Sequence, residues 1–155
     1  MADGRRMADE TRMERAEPDS ERPDTGYRAS TQGFEVEIEP IYLNSHSEPA
    51  RDHYVWAYRV AIRNAGERTA RLVSRHWTIT DANGAVETVD GPGVVGQTPL
   101  LAPGDSFEYH SGCPLSTPGG TMAGHYSMLD EDGATFDIAI PPFSLDIPNA
   151  PRTLN

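Results

Sequence analysis

The chain of 155 residues is long enough for one domain with a buried core, and its 24 acidic and 13 basic side chains give a net charge of -11. A field of that sign repels phosphate backbones, which argues against nucleic acid as a partner. All 13 basic residues are arginine, and the absence of lysine excludes a Walker-type P-loop and lysine Schiff-base chemistry.

The first segment, residues 1–31, is dense in charge and almost free of large apolar side chains. It buries too little apolar surface to offset the entropy of ordering, so we expect a disordered tail followed by one folded domain over residues 32–155. No run has the length of a membrane span or the apolar core of a secretory signal. Because the only cysteine, Cys113, cannot form an internal disulfide, we expect a cytoplasmic protein.

Short runs in which apolar and polar residues alternate, separated by turn residues, are typical of antiparallel strands. Asn83-Gly84 has the sequence of a two-residue hairpin turn, and Pro141-Pro142 is predicted to end the last strand. Strands are predicted at residues 34–43, 54–62, 70–81, 85–90, 106–111, 121–129 and 136–140. Seven or eight such strands without a helix favour an all-β fold, an immunoglobulin-like or fibronectin type III-like antiparallel β-sandwich.

Gly91, Gly93 and Gly96 match the G-x-G-x-x-G pattern of dinucleotide-binding proteins. In that fold the last glycine opens a helix, but Pro99 and Pro103 leave no room for one here. Two alternatives remain open. The segment is either a connector between sheets, or an anion nest in which backbone N–H groups, assisted by Arg75, hold a pyrophosphate or a nucleotide tail.

The five histidines lie in five different segments and lack the spacing of common metal sites. His110 and Cys113, three positions apart, are weak candidates for a shared cobalt or zinc ion that would need a third ligand. No catalytic residue is predicted, because Ser111-Gly112-Cys113 lacks the G-x-S-x-G pattern. The sequence therefore implies no cofactor.

Six runs of the sequence together closely resemble the bacterial ApaG family, in order from about Gly33 to about Pro148. They are Tyr54-Val-Trp56-Ala-Tyr58, Ser74 to Asp81, Gly91 to Gln97, Leu101-Ala-Pro103-Gly104, Tyr109 to Gly112, and Thr117 to Met122. The resemblance implies a fibronectin type III-like sandwich and an association with cobalt resistance and magnesium efflux. Relatives that carry this module beside other domains imply a role in protein interaction.

We therefore expect a non-enzymatic binding module that recognises a protein partner through the glycine segment and residues 112–120. The alternative is a small-ligand module that binds pyrophosphate, a dinucleoside polyphosphate or a divalent cation through the glycine segment. Hydrolysis of such a nucleotide is a weaker form of that alternative, since no general base is evident. Exposed edges at residues 34–43 or 136–140 are candidates for pairing in a homodimer.

Overall fold

The computed structural model describes residues 26–148, whose regular structure consists of nine strands and two short 3-10 turns. The strands are β1 (Tyr27–Thr31), β2 (Phe34–Tyr42), β3 (Tyr54–Asn64), β4 (Ala70–Asp81), β5 (Val86–Pro92), β6 (Leu100–Leu101), β7 (Ser106–Leu115), β8 (Gly120–Asp130) and β9 (Thr135–Leu145). The turns, Asn44–His46 and Pro49–Arg51, join β2 to β3. Within the described range no helix is long and apolar enough to cross a bilayer.

The strands form two antiparallel sheets that pack face to face. The first sheet has the order β1-β2-β3-β7, and the second has the order β5-β4-β8-β9 with β6 paired to β4. Without β1 and β6, this is the strand arrangement of a fibronectin type III-like sandwich. The predicted all-β sandwich is confirmed, with nine strands where seven or eight were predicted.

The core lies between the sheets and is formed by the apolar residues that alternate with polar residues in the sequence. Every second residue of β3 from Trp56 to Asn64 is buried, because successive side chains of a strand point to opposite faces. The hydroxyl groups of Tyr109 and Tyr126 form a buried hydrogen bond from one sheet to the other. Each fully buried large apolar side chain contributes about 1.5–3 kcal/mol relative to exposure.

Strand β1 lies where a disordered tail was predicted. It pairs with β2 from Tyr27 opposite Ile38 to Thr31 opposite Phe34, so the predicted boundary at residues 31/32 falls too late. Its signal in the sequence is weak because the inward side of a five-residue strand carries only Tyr27, Ala29 and Thr31. The rest of the predicted tail, residues 1–25, lies outside the described residues.

Two stretches predicted to be irregular are strand instead. β7 continues through Cys113 and Pro114 to Leu115 and pairs there with the start of β3, so the predicted 112–120 loop shrinks to residues 116–119. β9 passes through Pro141-Pro142, where a register shift in its pairing with β8 takes up the prolines. Proline is tolerated at a bulge on an edge strand, so it did not end β9 as predicted.

The two long sides of the sandwich differ. On the closed side, β1 of the first sheet lies against β9 of the second. The N–H of Ala139 donates to Thr31 Oγ1 at 3.1 Å, and the Tyr27 ring packs on Phe143. On the open side, β7 and β5 are the edge strands, and a cavity lies between them.

Both edges predicted as candidate dimer contacts lie towards the closed side. β2 is not an edge over Phe34–Ile38, because β1 pairs with it there, so that part of the prediction is wrong. β9 is an edge strand, but β1 lies against it. The homodimer itself stays a prediction.

Candidate functional site

A cavity of about 270 Å³ lies between the sheets on the open side, and we call it the mouth. The second sheet gives it an apolar wall of Trp77, Ile79, Val89 and Met122. Both sheets contribute polar side chains, namely Tyr58, Arg75, Glu87, Ser111 and Cys113. Pockets for drug-sized ligands are roughly 300–1,000 Å³, so the mouth suits a smaller molecule or a single side chain.

Arg75 reaches the mouth because β4 contains a bulge. The pairing of β4 with β8 shifts register between Leu72 and Ser74. Leu72 is buried before the shift and Trp77 after it, so the inward face changes from even to odd residue numbers. Arg75 therefore shares the inner face with Trp77, and its charged group lies between the sheets.

Backbone carbonyls, and no carboxylate of the described range, hold the half-buried Arg75 guanidinium. Nη1 donates to the carbonyl oxygen of Pro92 at 3.0 Å and to that of Gly93 at 2.9 Å. Within residues 26–148, Nε and Nη2 have no hydrogen-bond acceptor and Arg75 forms no ion pair. Neither nitrogen is among the buried, unpartnered side-chain atoms of the described range, so this edge of the guanidinium is open to solvent and to a ligand.

Gly91, the first glycine of the sequence motif, stands opposite Arg75 in the pairing of β4 with β5. A Cβ atom at this position would lie 2.8 Å from Nη2 and 2.9 Å from Cζ of Arg75. Such contacts are shorter than packed atoms allow, so a side chain at position 91 would displace the guanidinium. Gly91 therefore gives Arg75 its place beside the mouth.

Gly93 and Gly96 belong to a tight hairpin that follows β5. Val94 and Gln97 exchange two backbone hydrogen bonds of 2.8 Å around Val95 and Gly96, whose φ angles are 40° and 83°. Positive φ at both central residues is typical of a type I′ turn and is rare for a β-branched residue such as Val95. At Gly93 a Cβ would lie 2.3 Å from the carbonyl oxygen of Gln97, so only glycine fits.

The hairpin bears on the two alternatives predicted for the glycine segment. The segment continues to β6 without a helix, and Val94 is fully buried, as expected for a connector. The N–H of Gly93 donates to the carbonyl of Val73 at 2.9 Å, and those of Val94 and Gln97 bond within the hairpin. At these three positions the N–H groups that a nest would direct at a phosphate already have partners.

Hydroxyl and thiol groups of the first sheet complete the polar lining of the mouth. Burial raises the pKa of Tyr58 to about 12, while its hydrogen bond with Ser111 and the charge of Arg75 act in the opposite direction. Burial also raises the pKa of the Cys113 thiol to about 11, with a smaller contribution from Glu87. The thiol is therefore neutral at pH 7, where it is a poor nucleophile.

The two weak metal candidates are not brought together. His110 and Cys113 lie three positions apart on β7, so their side chains point to opposite faces of the sheet. Cys113 is buried in the core, and His110 stands opposite Arg59 in the neighbouring strand. Across residues 26–148, no group of three or more His, Cys, Asp or Glu side chains is arranged to hold a metal ion.

A histidine pair that spacing in the sequence does not reveal lies on the outer face of the second sheet. His76 of β4 and His125 of β8 are paired, and their rings stack with centroids 5.1 Å apart. Asp90 hydrogen bonds to Nδ1 of His76, and Asp137 lies 3.7 Å from Nε2 of His125. These two histidines and two aspartates are partly exposed. The register of β4 with β8 brings the histidines together, and the spacing of residues in the sequence does not give that register.

The paired sheets define the class of the protein, a fibronectin type III-like β-sandwich with a charged mouth on one side. Residues 44–130 match a family model described as the ApaG domain. This chain belongs to the ApaG family, and the resemblance recognised in the sequence is confirmed.

Relatives of known name cover most of the chain. "Protein ApaG" of Sinorhizobium fredii is 58% identical over 129 residues, which are 83% of this chain and 99% of that protein. "Protein ApaG" of Brucella anthropi is 57% identical with the same coverage. The crystal structure of a putative ApaA protein from Bordetella pertussis is 49% identical, with a TM-score of 0.73 over 76% of this chain and 95% of that one.

Proposed function

We propose that this chain is a non-enzymatic binding module that recognises a partner protein through the open side of the sandwich. The observation that carries the proposal is the exposure of β5. This edge strand has five exposed residues out of seven. By contrast β9, the other edge of the same sheet, buries five of its eleven residues.

Strand addition is the binding mode that such an edge supports. An edge strand presents a row of unpaired N–H and C=O groups, and an extended segment of another protein can pair with them. Side chains of the added segment would meet Val86, which is 62% exposed, and Thr88 beside it. Because Arg75 fixes the hairpin at the end of β5, little conformational entropy would be lost on pairing.

The charge of the open side indicates the chemistry of the partner. Glu87 and Asp90 lie on β5, and the whole chain carries a net charge of -11. Like charges on an edge disfavour pairing between copies of the same acidic chain. We therefore expect the partner to offer an extended, basic segment. The family's association with cobalt resistance and magnesium efflux would then act through the protein that contains this segment.

Capture from the source cell with two matched variants tests this proposal. Thr88→Lys places a positive charge in the middle of β5, whereas Thr135→Lys makes the same change at the exposed start of β9. A partner bound by strand addition should be captured by the wild type and by Thr135→Lys, and should fall roughly tenfold or more with Thr88→Lys. Quantitative mass spectrometry gives the ratio, and equal recovery with both variants would contradict the proposal.

The small-ligand alternative stays a prediction. A dinucleoside polyphosphate, ATP, cobalt or magnesium bound at a hundred times its dissociation constant should stabilise the fold by about 2.7 kcal/mol. A thermal shift series with these compounds measures that gain. A shift with any of them would favour the alternative over a partner protein.

A further inference from the structure

We infer that the mouth is a binding site for a small organic carboxylate with an apolar body, whose carboxylate group binds Arg75. The inference stands independently of the proposed partner protein, because it concerns the cavity between the sheets and not the edge of β5. Three properties of the mouth carry it: the unused donors of Arg75, the apolar wall, and the position of the second charge.

The unused donors of Arg75 define the polar group of the ligand. The carbonyls of Pro92 and Gly93 both accept from Nη1, which fixes the plane of the guanidinium. They leave Nε and Nη2 without an acceptor among the described residues, and these two nitrogens form one edge of the planar fork. A carboxylate matches such an edge with two parallel hydrogen bonds and also supplies the missing negative charge.

The wall and size of the mouth define the rest of the ligand. Trp77, Ile79 and Met122 offer apolar surface beside the arginine, and the cavity has about 270 Å³. A fully polar anion such as inorganic phosphate would lose hydration against this wall without gaining contacts there. An aliphatic or aromatic monocarboxylate about the size of hexanoate fits it better, since removing apolar surface from water is favourable.

Glu87 sets the orientation of the ligand. It lies four positions from Gly91 on the inner face of β5, roughly 13 Å along the strand, and forms no ion pair within residues 26–148. An anion near Glu87 is repelled, so the carboxylate end belongs beside Arg75, and the apolar end lies against the apolar wall of the mouth. The acidic net charge of the chain also opposes anions, so we expect an affinity in the millimolar range.

A purely structural role for Arg75 explains fewer features of the mouth than an anion-binding role does. Tying the hairpin to β4 needs only the two bonds that Nη1 makes. The β4 bulge and the missing side chain at Gly91 together bring a whole guanidinium between the sheets, where it stays without a counter-ion in the described range. These features are expected of a site prepared for an anion.

A titration with hexanoate and with its neutral analogue hexanamide, at constant ionic strength, tests the inference. Binding is followed by calorimetry and by tryptophan fluorescence, to which Trp77 in the mouth and Trp56 in the core both contribute. Hexanoate should bind saturably, and hexanamide roughly tenfold or more weakly, because it cannot supply the charge. Arg75→Gln should weaken hexanoate binding by a similar factor. Glu87→Gln should tighten hexanoate binding, because a like charge is removed from the lining of the mouth.

Arg63→Gln is the matched control, since it makes the same charge change at an exposed ion pair with Glu35 on the first sheet. It should bind hexanoate as the wild type does. Circular dichroism and the melting temperature establish that each variant is folded, and Arg75→Lys provides a second variant that keeps the charge but loses the fork. No saturable binding to the wild type, equal binding of hexanamide, displacement by equimolar phosphate, or wild-type affinity in folded Arg75→Gln would each overturn the inference.

Discussion

The closed and open sides of the sandwich border the same gap between two sheets, but different side chains fill the gap on each side. On the closed side, the Tyr27 ring packs on Phe143, and the Thr31 hydroxyl accepts the N–H of Ala139. On the open side, the gap between β5 and β7 holds an arginine, a glutamate and a thiol around a cavity. Because this same fold fills the gap on one side, the cavity on the other is not a necessary result of stacking two sheets.

The open side also carries unusual features. Val95 has a positive φ of 40° in the hairpin, and Arg75 is half-buried without a counter-ion in the described range. A positive φ occurs at Gln32 beside the closed side too, but it is rarer at a β-branched residue such as Val95. Sparsely populated backbone conformations cost about 1–3 kcal/mol each and concentrate at functional sites. The comparison therefore favours a binding role for the open side and a structural role for the closed side.

The largest expected effect contrasts a fully buried side chain next to the closed side with a half-buried side chain in the wall of the mouth. Phe143 is buried and packs on the rings of Tyr27, Tyr58 and Trp77, so Phe143→Ala should lower the free energy of unfolding by about 3–5 kcal/mol. Val89→Ala, in the half-buried wall of the mouth, should cost only about 1 kcal/mol. Urea unfolding with an unchanged m-value measures both losses, and equal losses would break the comparison.

A smaller effect distinguishes two glycines that flank β4. A Cβ at Gly124 would lie 2.0 Å from the carbonyl oxygen of His76, so Gly124→Ala must move backbone and should cost about 2–3 kcal/mol. A Cβ at Gly91 meets only the flexible end of Arg75, so Gly91→Ala should cost less than about 1 kcal/mol. Gly91→Ala should nevertheless weaken hexanoate binding, and a folded variant with wild-type affinity would show that the place of Arg75 does not matter.

The smallest expected effect is a change with pH near the closed side. The N–H groups of Ala134 and Asp132, together with the charge of Arg68, hold the pKa of Asp130 below its usual value of 3.8, although partial desolvation opposes them. A lowered folded pKa stabilises the protein above about pH 4, and this contribution is lost as the pH falls through the folded pKa. Asp130→Asn should therefore flatten the fall in melting temperature below pH 4. An equal fall in melting temperature in the variant and the wild type would show that Asp130 does not contribute to the pH dependence of stability.

The strands that could be predicted are those in which alternation is long and uninterrupted. β4 has the predicted bounds, Ala70–Asp81, and β3 and β8 differ from their predictions only at the ends. β7 and β9 were predicted too short, because Gly112, Pro114 and Pro141 read as breakers. Pairing with β3 and a bulge on an edge strand overrode those local signals.

The candidate site was predicted only in part. Arg75 was named beside the glycine segment, and its guanidinium does bond to the carbonyls of Pro92 and Gly93. The mouth was not predicted, since it depends on the β4 bulge that turns Arg75 inward and on the extension of β7 through Cys113. A bulge adds one residue to a strand and reverses every later side chain, and alternation in the sequence does not locate it reliably.

Residue-resolved amide hydrogen exchange of the free protein tests the central contrast most directly. The N–H groups of Ala139 and Ser144, which donate to hydroxyl groups of β1, should exchange slowly, as should the β5 amides that pair with β4. The β5 amides on the unpaired edge should exchange orders of magnitude faster. If all β5 amides are as protected as those of β9, the edge is covered, and the open side described here would not be free to bind a partner.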